Sequence, residues 1–203
     1  CCLGLWGPAS REVLQSVCEN DLSDSACPYL TALSIQVREV PVLALRISYV
    51  GELGWELYVP TEYGLCLWDQ LWEAGRGFGI SAAGAGAFDS LRQEKGYRLW
   101  GNEIHSGYNP FEAGLGFAVR MSKVDFLGKE ALARIGRDVR RKLCCLRLED
   151  PGVVVMGKEP IVSAGDTVGY VTSANYGYAI QESIAYGYLP IELAGVGHKV
   201  DIE

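Results

Sequence analysis

Two residues in the stretch 49–56 have side chains whose types and spacing suit the binding of a flat polar ring. Tyr49 and Glu56 stand at the ends of the string Tyr-Val-Gly-Glu-Leu-Gly-Trp-Glu. A fixed carboxylate beside an aromatic ring can bind a heterocycle with an N–H and an amino group side by side, because two parallel hydrogen bonds match its two oxygens. On spacing alone, the simpler interpretation is that Glu56 lies at the rim of a sheet with a Lys or Arg partner.

Two strands within residues 42–60 must position these side chains. Runs rich in Val, Leu, Ile, Tyr and Trp flank residues 51–54, Gly-Glu-Leu-Gly, which predicts a strand, a four-residue turn and a second strand. Such a turn would place Tyr49 opposite Glu56 on one sheet face. The same face would carry Leu43, Leu45 and Ile47. Because an unpartnered carboxylate on an apolar face costs roughly several kcal/mol, we expect a hydrogen-bond donor to Glu56.

The same string carries a family resemblance. Residues 49–56 resemble the Tyr-Thr-Gly-Glu-Asp-Gly-x-Glu signature of the glycine-cleavage aminomethyltransferase (T-protein) superfamily. They are closer still to the folate-binding portion of dimethylglycine and sarcosine dehydrogenases and oxidases. In that superfamily the Tyr and the final Glu contact tetrahydrofolate, whose pterin has the 2-amino-4-oxo edge that suits a carboxylate. The resemblance therefore implies that Tyr49 and Glu56 bind folate.

The segment 87–96, Ala-Phe-Asp-Ser-Leu-Arg-Gln-Glu-Lys-Gly, is predicted to be a helix that ends at Gly96. Asp89 and Arg92 can pair within it at i,i+3, and as a surface salt bridge the pair would contribute less than ~1 kcal/mol. The segment resembles the T-protein pattern Ala-Arg-Asp-Ser-Leu-Arg-x-Glu-x-Gly. Phe88 stands where aminomethyltransferases usually carry a ligand-holding Arg, and this departure favours the dehydrogenase and oxidase branch.

An aromatic string follows this helix. Residues 97–101, Tyr-Arg-Leu-Trp-Gly, resemble the Gly-Tyr-Arg-x-Trp strings of the oxidase branch. Trp100 is therefore a candidate to stack on the pterin or p-aminobenzoyl ring of folate, and a place in the core is its alternative. The predicted folate-binding residues are therefore Tyr49, Glu56 and Trp100, and no catalytic residue and no metal ligand is predicted.

Other elements before residue 80 follow from local signals. Pro8 is suited to begin a helix over residues 9–17, and a turn at 21–24 is expected to lead into a short helix that runs to Leu33. Residues 61–75 show helical periodicity, with a cap at Thr61. The predicted core-facing side of that helix consists of Leu65, Trp68, Leu71 and Trp72.

The predicted fold class is α+β, in two parts. Two strands followed by helices favour a split α/β sheet over an alternating Rossmann sheet. From residue 142 short alternating strands with glycine-rich turns predict a small antiparallel β-barrel, and residues 166–178 resemble the T-protein C-terminal barrel. We therefore predict a partial aminomethyltransferase folate-binding domain over residues 1–121, lacking its N-terminal part, and a truncated barrel over residues 122–203.

Composition excludes several function classes. A formal charge of −7 and a pI near 5.0 disfavour nucleic-acid binding, and the basic cluster Arg137, Arg140, Arg141 and Lys142 is interpreted as a solvated helix end that could attract a folate glutamate tail. Seven Cys without C-x2-C spacing indicate reduced thiols, and two distant His give a zinc site little support. No apolar run approaches the ~20 residues that span a bilayer. We expect a soluble intracellular domain, cytoplasmic in a bacterium and in the mitochondrial matrix in a eukaryote.

The resemblance also implies a reaction. In the oxidase branch an FAD domain oxidises an N-methyl group of dimethylglycine or sarcosine, and the folate domain joins the one-carbon unit to tetrahydrofolate as 5,10-methylenetetrahydrofolate. Because the chain starts at Cys1-Cys2 without Met, we expect a fragment whose FAD domain and catalytic Asp lie upstream in the same polypeptide. The alternatives are a glycine-cleavage aminomethyltransferase and a non-catalytic module like the regulatory subunit of pyruvate dehydrogenase phosphatase. The iron–sulfur assembly branch is set aside, because residues 123–130 lack its Cys.

Overall fold

The structure is a computed structural model that describes residues 1–136, 138–150 and 152–203. The chain divides into two compact units, Cys1–Phe88 and Asp89–Glu203. The boundary between them falls inside one helix, Ala85–Lys95. The predicted division into folding domains at residues 121 and 122 stays a prediction.

The first unit contains a four-stranded antiparallel sheet in the order β1-β4-β3-β2. Its strands are β1 (Cys2–Trp6), β2 (Ala32–Val37), β3 (Val40–Leu45) and β4 (Gly54–Tyr58). Its helices are α1 (Ser10–Gln15) and α2 (Gly64–Gly75), with 3-10 turns at Thr61–Tyr63 and Arg76–Phe78.

One face of this sheet is buried and the other is open. Val42, Ala44 and Leu57 pack into a core that also contains the buried side chains of α1 and α2. The alternate positions face away, so that Leu43 is 46% exposed. Glu56 and the residues on its side of the strand therefore lie on the open face, and the prediction that this face is the apolar, buried one is wrong.

The predicted hairpin register is also wrong. Strand β3 ends at Leu45, so eight residues rather than four connect it to β4, and Glu56 pairs with Leu45 instead of Tyr49. Ser48 explains the early end, because its hydroxyl accepts the N–H groups of Val50 and Glu52 at 3.3 and 3.1 Å. Such local side-chain bonds compete with a ladder and bend the chain away from its partner strand.

The buried stripe of helix α2 shares only Leu71 with the predicted one. Leu67 and Leu71 are buried, whereas Leu65 is 72% and Trp68 42% exposed. The buried stripe includes the glycines at the two ends of α2, and a Cβ added at Gly75 would lie 2.6 Å from Ile80. The two glycines thus let neighbouring segments of the protein pack closely against this side of the helix. The wide indole rings of Trp68 and Trp72 would prevent such close packing.

Two further helical predictions need correction. The helix predicted over residues 9–17 is shorter, and residues 21–31 form turns and irregular chain instead of a helix that runs to Leu33. The Asp21 carboxylate accepts the Ser23 N–H at 2.8 Å, and Leu30 has φ 67°, both of which belong to turns. Thr61 makes no side-chain capping bond.

The second unit contains a five-stranded antiparallel sheet in the order β5-β8-β7-β6-β9. The strands are β5 (Arg141–Arg147), β6 (Pro160–Ser163), β7 (Asp166–Gly177), β8 (Glu182–Pro190) and β9 (Asp201–Ile202). Its helices are α3 (Ala85–Lys95), which begins in the first unit, and α4 (Lys129–Ile135), with 3-10 turns at Gly116–Ala118 and Ile191–Leu193. These elements confirm the predicted α+β class and the barrel-like domain of antiparallel strands.

The basic cluster does not mark a helix end as predicted. Arg141 and Lys142 begin strand β5, five residues or more after α4 has ended at Ile135. Arg140 is exposed just before the strand, and Arg137 lies outside the described residues.

Helix α3 ends as predicted, because Gly96 has φ 81°. Arg92 donates to Asp89 at 2.7 Å, so the predicted pair is present, but its setting is different. Arg92 also pairs with Glu103 at 2.7 Å, and both of these side chains are only 1% exposed. The interpretation as a surface salt bridge is therefore wrong: the pair is part of a buried network that holds α3 in its unit.

Candidate functional site

Glu56 lies on the open face of the first sheet, between Gly4 of β1 and Leu45 of β3. Its carboxylate Oε2 accepts a hydrogen bond from the Tyr58 hydroxyl at 2.7 Å. Tyr58 is two residues along the same strand, so both side chains emerge on the same face. The donor expected for Glu56 is thus a phenol, and among the described residues no Lys or Arg pairs with this carboxylate.

This contact changes the acidity of the phenol. The hydrogen bond to the Glu56 carboxylate, and secondarily the Cys2 thiol, raise the pKa of Tyr58 above its ordinary value. Tyr58 therefore remains a donor throughout the neutral range. Because Tyr58 uses one carboxylate oxygen, the other, Oε1, has no donor among the described residues and can accept from a ligand.

An aromatic cluster made of Trp6, Tyr49 and Phe88 belongs to the same unit. The ring of Tyr49 stacks on Phe88 with centroids 5.2 Å apart and planes at 29°. Trp6 contacts the same Phe88 ring at 5.8 Å, and its indole Nε1 donates to the Ile47 carbonyl at 3.3 Å. Phe88 thus joins the connecting segment 46–53 to the end of β1.

Gly4 brings this cluster next to the carboxylate. Gly4 is directly opposite Glu56, and a Cβ at Gly4 would lie 2.1 Å from the Trp6 ring. The Trp6 indole therefore covers the place where a side chain of residue 4 would stand. Because opposed Cβ positions in an antiparallel sheet are about 4.5–5.5 Å apart, the indole lies beside the Glu56 side chain. A carboxylate with an open oxygen next to an aromatic surface can bind a flat heterocycle that carries adjacent N–H donors.

Comparison with known proteins identifies the family. The family model described as "GCVT N-terminal domain" matches residues 1–123, and "Glycine cleavage T-protein C-terminal barrel domain" matches residues 141–203. The chain belongs to the glycine cleavage T-protein family. A solved T-protein, "Crystal structure of glycine cleavage system aminomethyltransferase T from Bartonella henselae", matches with TM-score 0.87 and 27% identity, over 100% of this chain and 55% of that one.

Curated relatives fall into two groups. Dimethylglycine dehydrogenase, mitochondrial, of Homo sapiens is 44% identical over 99% of this chain and 23% of the relative. Sarcosine dehydrogenase, mitochondrial, of Mus musculus is 42% identical over 92% of this chain and 20% of the relative. Aminomethyltransferase of Symbiobacterium thermophilum is 40% identical over 98% of this chain and 54% of the relative. The chain thus spans about a quarter of the dehydrogenases and about half of the aminomethyltransferase.

The T-protein signature residues are placed differently from the prediction. Tyr49 does not face Glu56 across the ladder, but it connects through Phe88 to the indole that lies beside Glu56. Sequence reasoning did not select Trp6, Tyr58 or Phe88 as site residues. The sequence contains a signal for Tyr58, because a residue two positions after Glu56 on a strand lies on the same face. The sequence singles out Phe88 only as a departure from the aminomethyltransferases.

Trp100 lies in the second unit, in the turn after α3, where it forms a bridge with Ile104. Its side chain is 73% exposed, so it is not a core residue, and it can contact a ligand or another surface. Within the described residues, no group of three His, Cys, Asp or Glu could hold a metal ion. None of the described helices has the length and apolar character required to cross a bilayer.

Proposed function

We propose that this T-protein-family chain is the tetrahydrofolate-binding region of an FAD-dependent oxidoreductase. The enzyme would demethylate dimethylglycine or sarcosine and pass the one-carbon unit to tetrahydrofolate as 5,10-methylenetetrahydrofolate. The similarity to a dimethylglycine dehydrogenase along 99% of this chain supports this assignment, as does the apolar Phe88. We assign FAD to a part of the polypeptide that this chain does not span, and propose the mitochondrial matrix for a eukaryotic source and the cytoplasm for a bacterial one.

The observation that carries the proposal is the open carboxylate oxygen of Glu56 beside the Trp6 indole. The residues present fit a pterin: Glu56 would accept from the N–H and the amino group, and Tyr58 would hold the carboxylate in orientation. Tyr49 and Phe88 extend the aromatic surface, and Trp100 is the proposed stacking residue of the second unit. Tetrahydrofolate itself supplies the nitrogen atoms that accept the one-carbon unit. The role of these protein residues is to hold that ligand in place for a reactive one-carbon unit, which limits its loss to water.

The test is tetrahydrofolate affinity, measured by calorimetry on the 203-residue chain and on the full-length protein. Glu56→Gln keeps the size of the side chain but removes its charge and one acceptor. A charge-assisted bond of this kind is worth about 1.5–3 kcal/mol, so we expect affinity to fall about tenfold to hundredfold. Glu62→Gln is the matched control, because Glu62 is an exposed residue of the 3-10 turn before α2. Equal affinities of the two variants would refute the pterin role of Glu56.

Trp100 needs a separate measurement. Trp100→Leu should reduce tetrahydrofolate affinity if the indole stacks on the ligand, since stacking of an aromatic side chain on a base contributes about 1–3 kcal/mol. Leu99→Ala, at the neighbouring exposed residue, is the control. A Trp100 variant that binds as the wild type does would remove this residue from the site and leave the role of Glu56 unaffected.

A glycine-cleavage aminomethyltransferase is the second candidate, and the 40% identity to the Symbiobacterium thermophilum protein supports it. The full-length protein separates the two. Flavin absorbance together with oxidation of dimethylglycine or sarcosine supports the oxidoreductase. Tetrahydrofolate-dependent release of ammonia from an aminomethyl-loaded carrier protein, without flavin, would support the aminomethyltransferase instead.

A further inference from the structure

A small cavity in the second unit, which contains none of the candidate folate-binding residues, has the chemistry of an anion site. It has a volume of about 200 Å³, and besides Val168, Gly169 and Pro190 its lining residues are two arginines and three tyrosines, namely Arg140, Arg141, Tyr108, Tyr170 and Tyr188. Lys158 lies over the Tyr170 ring, 5.3 Å from its centroid. This concentration of positive charge stands in contrast to the chain as a whole, whose formal charge is −7.

The tyrosine hydroxyls supply a donor that their mutual bond does not use. The hydroxyls of Tyr108 and Tyr170 are 2.6 Å apart, and either can be the donor. Each hydroxyl has one proton. When one hydroxyl donates to the other, the proton of the accepting hydroxyl can be donated to a different group. No acceptor for that second proton is found in the described part of the chain. Burial, and then the bond to Tyr170, raise the pKa of Tyr108, so the Tyr108 hydroxyl keeps its proton at neutral pH.

Arg141 is held in place at this cavity. Its Nε donates to Glu112 at 2.9 Å and its Nη2 donates to the Gly107 carbonyl at 2.8 Å. Its guanidinium lies over the Tyr108 ring at 4.5 Å. These contacts fix the orientation of the group and leave Nη1 without an acceptor among the described residues. Glu112 neutralises part of its charge, so Arg140 supplies the main uncompensated charge of the lining, and Lys158 lies outside the lining over the Tyr170 ring.

Arg140 is the lining residue whose side chain is available to bind a ligand. It is exposed, and no described residue forms a hydrogen bond or ion pair with its side chain. Guanidinium groups bind carboxylates and phosphates through paired donors, and a cluster of one sign of charge in a concave surface attracts small ions of the opposite sign. Because a water molecule takes up about 30 Å³, the cavity has room for one oxyanion group and a few waters.

We propose that the cavity at Tyr108, Tyr170 and Arg140 is a binding site for an oxyanion, the carboxylate or phosphate group of a small ligand. The anion accepts from the spare tyrosine proton, from Arg140 and from the free edge of Arg141. The proposal does not depend on the function assigned to Glu56, since all the residues that carry it belong to the second unit.

The test is calorimetric titration of the full chain with inorganic phosphate and, separately, with γ-linked triglutamate at low ionic strength. Arg140→Gln should raise the Kd of the binding anion about tenfold, as expected for one charge-assisted contact. Arg134→Gln, the same change at an exposed position of α4 outside the cavity, should leave it unchanged. The double variant Tyr108→Phe with Tyr170→Phe keeps the rings and their stacking and should weaken binding by a similar factor.

The two probes also identify the source of the anion. Mutual displacement of phosphate and triglutamate shows a general oxyanion site, and binding of one alone assigns the phosphate or the carboxylate. The proposal is overturned if neither probe binds, or if Arg140→Gln and Arg134→Gln bind the anion equally well. Wild-type binding by the double tyrosine variant would overturn the role of the hydroxyls.

Discussion

The Tyr58 hydroxyl donates to the Glu56 carboxylate at 2.7 Å on the open face of the first sheet. Because the carboxylate stabilises the protonated phenol, the pKa of Tyr58 is raised. A raised pKa means that the hydrogen bond is present at neutral pH and is lost only as the pH rises through that value. The hydrogen bond is therefore present across the physiological pH range and is lost only in alkaline solution.

The first prediction concerns this titration. Glu56→Gln should lower the pKa of Tyr58 towards its ordinary value, because the negative charge that opposes phenolate formation is removed. The measurement is the ultraviolet phenolate absorbance as a function of pH, with Tyr58→Phe subtracted to isolate one of the eleven tyrosines. Glu62→Gln should leave the difference curve unchanged. A Glu56→Gln curve identical to the wild type would show that the two side chains do not interact in solution.

The second prediction concerns Gly4. An alanine there would place a methyl group 2.1 Å from the Trp6 ring, and the ring must move away because it is the mobile end of a side chain. Moving the indole away from Glu56 should weaken tetrahydrofolate binding about tenfold, the order of a stacking contact, while Glu56 itself is unchanged. Calorimetry measures the affinity, and Trp fluorescence reports the movement of the indole.

Gly77→Ala is the matched control for Gly4→Ala. Gly77 lies in a 3-10 turn of the same unit, and an added Cβ there would meet nothing within 4 Å. Both substitutions add one methyl group to a glycine, so a difference in affinity reports the Trp6 contact. Equal affinity of Gly4→Ala and the wild type would mean that the indole takes no part in binding.

Much of the second unit could be predicted from the sequence because its signals are local. Short strand-like segments between glycine-containing turns were predicted from residue 142 onwards, and the five strands β5 to β9 lie between Arg141 and Ile202. The end of α3 was predictable for the same reason, since Gly96 has the positive φ that a glycine adopts most easily. Local backbone chemistry decides these features, and the sequence displays it directly.

The register of the first sheet could not be predicted in this way. Gly51 and Gly54 indicate a turn, but the hydroxyl of Ser48 bonds the backbone of the connecting segment and ends β3 at Leu45. The choice between a ladder bond and a side-chain bond depends on the neighbouring strands. The backbone N–H of Arg46, for example, donates to the Thr31 carbonyl at 2.9 Å. The site shows the same limit: Trp6 and Phe88 lie far apart in sequence and meet only in the folded unit.

The third prediction concerns thiol reactivity at Cys66. Its Sγ lies 3.4 Å from Glu39 Oε1, and this carboxylate, followed by burial, raises the pKa of the thiol. Glu39→Gln should lower that pKa and increase the thiolate fraction at mildly alkaline pH, because the negative acceptor is lost. Alkylation of Cys66 by iodoacetamide, followed by peptide mass spectrometry, should therefore be faster in Glu39→Gln. Glu62→Gln serves as the control, and an unchanged rate in Glu39→Gln would contradict the contact.

The fourth prediction concerns Glu103, whose side chain is 1% exposed. Among the described residues, one of its oxygens accepts from Arg92 and from the Leu99 N–H at 2.7 and 2.8 Å. The other oxygen accepts from the hydroxyls of Thr172 and Ser173. Glu103→Gln removes the charge and leaves buried donors without an acceptor, since its amide nitrogen cannot accept. Breaking a buried pair costs about 3–5 kcal/mol, so we expect a loss of about 3 kcal/mol in the free energy of unfolding.

Glu182→Gln tests whether that loss comes from burial rather than from the removal of any ion pair. Glu182 pairs with Arg147 at 3.4 Å, but the two side chains are 41% and 71% exposed. An exposed pair contributes about 0–1 kcal/mol, because water and salt screen it. Urea denaturation of both variants should therefore separate them by about 2 kcal/mol or more, with Glu103→Gln the less stable. Similar denaturation midpoints would show that the Glu103 carboxylate does not hold α3 to strand β7, and that the geometry of this unit depends on its apolar packing alone.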